Sequence, residues 1–380
     1  MHTPHDSAAE PHAAVAHDPH SLLLYITDPM ALVRLKAVLD LHQVPSAEPI
    51  PNAALLTASS DILSAAVAQW RENLADEQVA KIGGRLLNET SPTPQQIADA
   101  MLHLVPLPTV LERLQARWLP RLLRREAQQR DTIFSMYQPL VSVADRKIVA
   151  YECLMRARDS GLSIGAGKLA EAARVMGMTH ELDAAAWRSG IRTGAQLAQQ
   201  GYKLFVNFTP SSISELKFGL QEAVATCREH GVPFENLVFE VTEGEQVRDI
   251  HQLERIISSY RAEGAKVALD DLGSGYSSIL HLADLLPDYV KLDQGLVHGA
   301  HDDYVRSVLL KGITDAAHEL GIAVVAEGVE TEEDLKFCIA IDADLVQGYY
   351  LARPAETPEP VSTQALQTLS EWVRDLKPAN

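Results

Sequence analysis

Seven consecutive strand-like stretches of the 380-residue sequence end in polar side chains: Glu152, Asn207, Glu240, Asp270 with Asp271, Lys291 with Asp293, Glu327 and Gln347. A single residue of this kind at a strand end is commonly a helix cap or a turn former. Repetition on successive strands is different, because the strand ends of a parallel barrel converge on one mouth, where that fold does its chemistry. The set is rich in carboxylates, includes an amide, and contains no His or Cys. Such hard oxygen donors suit Mg²⁺ or Mn²⁺ rather than zinc. Asp270 and Asp271 are adjacent, and neighbouring carboxylates repel unless positive charge sits between them. One aspartate can bridge two ions while the other binds the second. A pair of divalent ions stabilises both the attacking and the leaving oxygen of an in-line displacement, the chemistry of phosphoester hydrolysis. Lys291 keeps its proton among these anions and is expected to hold or orient the attacking water.

The elements that must position these residues follow from the pattern between 132 and 352. Short β-rich runs ("MYQPLVSV", "IVAYECLMR", "KLFVNFT", "NLVFEVTE", "KVALDD", "YVKLD", "AVVAEGVE", "LVQGYYLA") are mostly separated by helical segments over 168–200, 211–230, 247–263, 303–320 and 331–341. Regular β-then-α alternation implies a mainly parallel sheet, and eight such strands in this length fit a closed (β/α)₈ barrel. Only "ADRK" joins the first two strands. That is hairpin length, too short for a parallel crossover, so one strand is expected to run antiparallel.

The preceding sequence reads as other territory. Residues 1–20 are rich in His, Ala and Pro and are expected to be a disordered tail; His2 and His5, like His17 and His20, have spacing that captures metal only adventitiously. Residues 21–108 read as a small α/β regulatory domain. It has strands at 21–27 and 53–60 and helices at 28–42, 61–81 and 93–105, with Asp28 as an N-cap and Pro29 in the first helical position. This order faintly resembles a receiver domain, although the second strand ends in Ser59 and Ser60 rather than a phosphoacceptor Asp. A sensory or docking role, with a protein partner, and a packing role are both open. Residues 109–130 read as a basic amphipathic linker helix broken near Pro120, and 361–380 as a C-terminal helix.

Bulk composition narrows the classes. A formal net charge of −18 argues against nonspecific DNA binding, which needs clustered Lys and Arg. The three cysteines, Cys153, Cys227 and Cys338, are far apart and form no CxxC pair, which fits a reducing cytoplasm better than a disulfide framework or a zinc site. No signal-peptide core and no run of about 20 apolar residues stands out, so no membrane span is expected.

With these residues assembled, the stretch from Gln138 to Pro354 resembles the EAL-domain family, the cyclic diguanylate (cyclic di-GMP) phosphodiesterases. The resemblance rests on "QPLV" at 138, "ECLMR" at 152, "NFTP" at 207, "EVTE" at 240, "DDLGSGYSS" at 270, "KLD" at 291, "EGVE" at 327 and "QGYYLARP" at 347. It implies a modified TIM barrel with one antiparallel strand, spanning about 131–360. It also implies Mg²⁺- or Mn²⁺-dependent hydrolysis of one phosphodiester of cyclic di-GMP to linear 5′-pGpG, in a protein that forms a homodimer. By position, Glu152, Asn207, Glu240 and Asp270 look like ligands of a first metal, Asp270 with Asp271 like ligands of a second, and Glu327 like a further member of the metal network. Lys291 and Gln347 look like water-positioning residues that act with Glu152 and Glu327 in catalysis. Arg156, Gln138 and Asp293 look like substrate contacts, and Glu243 like the anchor of the loop at 271–278.

Two positions depart from the family pattern: Cys153 stands where Ala is usual, and Leu272 where Phe is usual. Strand alternation points Cys153 away from Glu152, so metal binding should survive, and a buried inert thiol is expected. Leu272 could alter packing of the loop. The sequence "GGRLLNE" at 83 lacks the acidic residues of a GG(D/E)EF synthase signature, so the chain should degrade the dinucleotide and not make it. Two rivals remain. One is an EAL-type receptor that binds without cleaving. The other is an enolase-type lyase, which would leave Glu152, Asp271 and Gln347 unexplained.

Overall fold

The computed structural model describes residues 19–49, 51–87, 90–128, 131–159, 161–208, 216–242, 250–273 and 278–376. Most of the His-rich tail lies outside them. The chain divides into two compact units, Met1–Leu119 and Pro120–Asn380.

The first unit comprises β1 (Pro19–Ile26), α1 (Pro29–Leu41), β2 (Ser46–Ala47), β3 (Ala53–Ser59), α2 (Ser60–Glu72), α3 (Asp76–Val79), β4 (Ile82–Leu87), α4 (Pro94–Leu102), β5 (Val105–Pro106) and α5 (Leu107–Ala116). Asp28 caps α1 as expected, accepting from the Met30 and Ala31 amides at 2.8 and 3.3 Å, with Pro29 in the first turn. The sheet order is β2-β3-β1-β4-β5, and every recorded pairing is antiparallel. That differs from the parallel sheet a receiver likeness implies. The β-α-β-β-α-β order is instead that of the split βαβ, ferredoxin-like motif. The cause is β2, two exposed residues with no apolar signal, which hairpins into β3 and reverses its direction. The single helix expected over 61–81 is split into α2, which ends at Glu72, and the one-turn α3, after which the chain enters β4, a strand not expected from the sequence. Gly83 and Gly84 hid that strand in the sequence. Gly84 is needed because a Cβ there would lie 2.9 Å from both Leu24 of β1 and Val110 of α5.

The stretch read as a linker is two helices, α5 and α6 (Trp118–Ala127), and the unit boundary falls just inside α6. Leu107, Val110 and Leu114 of α5 join the first unit's core. Leu119 and Leu122 of α6 are fully buried and so do not form a surface stripe. Glu126 instead fastens α6 to the start of the barrel, accepting from the Ile133 amide at 2.8 Å and the Thr132 hydroxyl at 3.1 Å.

In the second unit the strands are β6 (Ile133–Ser142), β7 (Lys147–Asp159), β8 (Leu162–Gly165), β9 (Lys203–Phe208), β10 (Leu237–Thr242), β11 (Lys266–Leu272), β12 (Tyr289–Leu292), β13 (Ala323–Ala326) and β14 (Leu345–Val346). The helices are α7 (Ala166–Met176), α8 (Thr179–Gln199), α9 (Leu216–His230), α10 (Ile250–Ala262), α11 (Ser278–Leu285), α12 (Gln294–Val297), α13 (Tyr304–Glu319), α14 (Glu332–Ala340) and α15 (Thr363–Leu376). Strands pair in the order β6-β14-β13-β12-β11-β10-β9-β7, and β6 pairs β7 to close an eight-stranded barrel, with β8 as an added strand on β7. The expected antiparallel strand is β6, which runs against both β7 and β14. The helical stretch 168–200 is divided at Gly177, whose φ of +65° ends α7. The C-terminal helix α15 packs on the barrel, with Ala365 and Leu369 fully buried in the same core as Leu335 and Cys338 of α14.

What the barrel contributes to the site is a floor. Leu140, Ala150, Phe205, Val238, Ala268, Val325 and Leu345 form one buried cluster, with Tyr289 packed against it. Phe205 is fully buried and meets Tyr289 edge to face at 5.2 Å. Phe205→Ala would leave a cavity in this floor. It is expected to lower stability by about 3–5 kcal/mol, read as an earlier urea midpoint of the barrel transition.

Candidate active site

Each polar site residue stands two positions beyond an apolar residue of the floor. Ala150 leads to Glu152, Phe205 to Asn207, Val238 to Glu240, Ala268 to Asp270, Tyr289 to Lys291, Val325 to Glu327 and Leu345 to Gln347. On the antiparallel strand the step runs backward, from Leu140 to Gln138. Successive strand side chains alternate faces, so residues two apart share one. The ring of acids is therefore the next layer above the apolar floor.

Lys291 is the centre of that layer. Its side chain is 1 % exposed, and Nζ lies 2.6 Å from Glu240 Oε1, 2.6 Å from Glu327 Oε1, 3.1 Å from Asp270 Oδ1 and 3.8 Å from Glu152 Oε1. Burial alone would lower its pKa, but Glu152, Glu240, Glu327 and Asp270 outweigh burial and push it well up. Lys291 is thus a fixed cation and hydrogen-bond donor. The carboxyls respond in the opposite sense. Burial raises Glu240 well above the ordinary carboxylate range, with Lys291 opposing and Glu152 and Asp270 reinforcing the rise. Burial likewise lifts Glu327 to about 7. Asp271 is raised by burial and by the nearby Asp270 and Asp293.

The Asp270–Asp271 doublet departs from simple alternation. Leu269 pairs with Val290 and Leu272 with Leu292, so two residues of β11 stand opposite Lys291 alone. This is a β-bulge. Asp271 takes a φ of +57°, an uncommon conformation for a residue other than glycine, and its amide donates to Asp270 Oδ1 at 3.0 Å. The bulge cancels one step of the alternation, so both carboxylates face the mouth. Ligand oxygens of Asp270, Asp271 and Glu327 come within 4.8 Å of one another. Gly273 follows with a φ of +105°, a conformation that favours glycine, and a Cβ there would lie 2.1 Å from the Leu296 side chain of α12.

Gln347 links the ring to the antiparallel strand. Its Nε2 donates to Glu152 Oε2 at 2.6 Å and to Gln138 Oε1 at 3.1 Å. Gln347 Oε1 and Glu240 Oε2 are buried without a hydrogen-bond partner among the described residues. Buried acceptors left in this state suit a cation or its water ligands. Together with five carboxylates (Glu152, Glu240, Asp270, Asp271, Glu327) around one ammonium, the donor set fits divalent metal of the hard, oxygen-preferring kind.

The ring opens into a cavity of about 480 Å³ lined by Gln138, Glu152, Asp270, Asp271, Lys291 and Glu327, among others. Asp293 lines it too, while also capping α12 by accepting from the Gly295 amide at 2.9 Å. Asn207 pairs with Glu240 in the β9–β10 register and is exposed. Arg156 is half-buried and donates to the Met155 carbonyl at 2.8 Å; it is not among the cavity's lining residues. Glu243 lies outside the described residues. Leu154, Gln294, Glu330 and Tyr349 also line the cavity and were not singled out from the sequence. Alternation from Glu152 reaches Leu154. Gln294 opens the short helix α12, and Glu330 and Tyr349 sit in connections beyond the strands, where periodicity carries no signal. Cys153 points the other way, against Gly190 of α8, and its thiol pKa is raised by burial, then by Glu240 and Glu152, so it is held neutral. Leu272 is fully buried in the barrel's helix-side core.

Comparison with known proteins bears on this geometry. Residues 122–354 match the model of the EAL domain. The chain is 30% identical over 243 residues to the probable cyclic di-GMP phosphodiesterase PdeG of Escherichia coli, a match covering 62% of this chain and 47% of PdeG; the chain thus spans about half the length of that curated relative. It is 30% identical to a standalone EAL protein of Vibrio cholerae crystallised with c-di-GMP, with a TM-score of 0.54 over 61% of this chain and 97% of that one. A Bacillus subtilis YkuI structure with an EAL domain, in complex with c-di-GMP and calcium, shares the fold at 24% identity and a TM-score of 0.55, over 65% of this chain and 62% of that one.

The pKa of Glu327 sets a pH dependence. Its folded value is raised from 4.5 to about 7, so the folded chain holds a proton there that the unfolded chain releases. The stability this confers is lost as pH rises through that window. Protons and divalent cations compete for the same carboxylate. The rise in unfolding temperature on adding Mn²⁺ is therefore expected to be larger at pH 8 than at pH 6, and equal shifts would remove Glu327 from the ligand set.

Proposed function

The chain belongs to the EAL domain family, and from that premise we propose that it hydrolyses one phosphodiester bond of cyclic di-GMP to linear 5′-pGpG, lowering this bacterial second messenger in the cytoplasm. The observation that carries the reading is Lys291 enclosed by Glu152, Glu240, Asp270 and Glu327, with Asp271 turned into the same mouth by the bulge. A binding protein has no need to bury an ammonium among four acids.

Glu152, Asn207, Glu240 and Asp270 would hold a first Mg²⁺ or Mn²⁺, and Asp270, Asp271 and Glu327 a second. Bound there, the ions supply water of lowered pKa and charge for the attacking and leaving oxygens. Lys291 stays protonated, with its three N–H donors facing Glu240, Glu327 and Asp270, and would set the position of that water through those carboxylates and its own charge. Gln347 has committed its Nε2 to Gln138 and Glu152, so its unpartnered Oε1 is the atom left to accept from the water and aim it. Gln138 and Asp293 on the cavity wall, and Arg156 on the Glu152 face of β7, are the substrate contacts in this reading, with Glu243 anchoring the loop after Asp271. The first unit, with its own core, is read as the regulatory domain and the place for a protein partner.

A homodimer belongs to the same reading. Tyr304, Val305, Val308 and Leu309 form an exposed apolar stripe on α13, with Tyr304 83 % and Val305 73 % exposed. A contiguous apolar patch of this kind suits an interface. Light scattering is expected to give a dimer at micromolar concentration and a monomer for Val305→Glu; a wild-type monomer would exclude this interface.

Incubating the full chain with cyclic di-GMP and Mg²⁺ or Mn²⁺ is expected to yield pGpG by chromatography. Glu152→Ala and Asp270→Ala should each lower turnover by at least about 100-fold, beyond the cost of removing an outer-shell partner, with circular dichroism unchanged. Tight dinucleotide binding with no product over hours would replace the hydrolase by a receptor.

A further inference from the structure

Strand β12 carries Lys291 to the mouth and the loop after β13 carries Glu327, and one carboxylate outside the acidic ring ties the segments beyond both strands together. Asp334, in the first turn of α14, is fully buried. Its Oδ1 accepts from the Gly299 amide at 2.9 Å and lies 3.4 Å from His301 Nδ1. Its Oδ2 accepts from the Glu330 amide at 3.2 Å and the Thr331 amide at 3.1 Å, and lies 3.0 Å from His298 Nδ1. One side chain thus receives donors from 298–301, beyond β12, and from 330–331, beyond β13.

Helix capping accounts for only part of this. The α14 capping box needs the Asp334 carboxylate on the Thr331 amide and the Thr331 hydroxyl on the Asp334 amide. It does not need Gly299, His298 or His301. Those contacts belong to the segment that leaves Lys291 through Asp293 and α12. The two loops also touch directly, since a Cβ on Gly328 would lie 2.3 Å from Gln294 Cβ. Backbone this close, with Val297, Ala300 and Val329 all fully buried beside it, leaves Glu327 little freedom relative to Lys291 while the clasp is closed.

Resting on the metal-dependent reading above, we propose that Asp334 is a positioning residue for the cation site: it clasps the 298–301 and 330–331 segments so that Glu327 is held beside Asp270 and Asp271. A carboxylate is required because its backbone partners are all donors and an aspartate oxygen only accepts. An asparagine of the same shape would turn an NH₂ toward N–H groups.

The test is Mn²⁺ binding by the full chain, read from the electron paramagnetic resonance signal of free Mn²⁺, with no dinucleotide present. Asp334→Asn is expected to weaken Mn²⁺ binding about tenfold, the lower range for loss of an outer-shell partner. His298→Ala removes one donor from a half-exposed side chain, leaves the fold intact, and is expected to weaken binding in the same direction by a smaller factor. Thr331→Ala breaks the capping box but leaves the clasp, and is expected to lower the unfolding temperature with Mn²⁺ affinity unchanged. Wild-type affinity in both Asp334→Asn and His298→Ala would overturn the clasp while leaving the hydrolase reading intact. The same loss of affinity in Thr331→Ala would reduce Asp334 to a helix cap. A wild-type chain that binds no Mn²⁺ would overturn the clasp and the metal-dependent reading together.

Discussion

The burial of one ammonium sets the terms for the rest of the barrel. Lys291 is almost wholly removed from water, and an unpaired buried charge is too costly to keep. It persists because four carboxylates, three on other strands and Glu327 just beyond β13, reach it within 4 Å. Those carboxylates are themselves buried to different degrees and repel one another, and the lysine is what favours their charged form. Each side of the arrangement therefore needs the other. The apolar floor beneath makes it possible, because a layer of Phe, Val, Leu and Ala side chains fixes the height and direction of every strand that carries a charge.

A regular barrel would not finish the site. Alternation delivers one side chain per strand to each layer, whereas the mouth receives two carboxylates from β11. The bulge supplies the second, at the expense of a left-handed backbone at Asp271. Strain of this kind survives where its surroundings over-determine it. Here the surroundings are the Asp270 side chain on the Asp271 amide and Gly273 seated on Leu296. On the far side of the ring, Gly348 does comparable work. A Cβ there would lie 2.1 Å from the Val329 carbonyl, so the turn bearing Gln347 and the loop bearing Glu327 meet backbone to backbone. The Asp334 carboxylate closes the same region from outside.

The first unit shows where local signals mislead. The apolar strands, the Asp28 cap and the helices from Pro29 and Pro94 follow from short-range chemistry and appear where expected. The strand directions do not, because they turn on β2, whose two residues carry no pattern, and on β4, whose glycines read as a loop. In the stretch read as a linker, amphipathic periodicity marked helices correctly but left open what their apolar faces meet. The α5 face joins the first unit's core, and Leu119 and Leu122 of α6 are buried as well.

The sequence by itself determined which residues could share a layer. The spacing of Ala150 and Glu152, Val238 and Glu240, or Tyr289 and Lys291 is a property of the strand, and strand alternation is local. The four-residue "ADRK" connection likewise fixed the antiparallel β6, because no crossover fits in it. Only the tertiary structure decided who meets whom. Gln347 and Gln138 are 209 residues apart and touch only because the barrel closes through β6. The bulge at Asp270–Asp271, the pKa of Glu327 and the clasp at Asp334 likewise depend on neighbours from other strands and loops. Their physics is long-range pairing and burial, which no window along the chain contains.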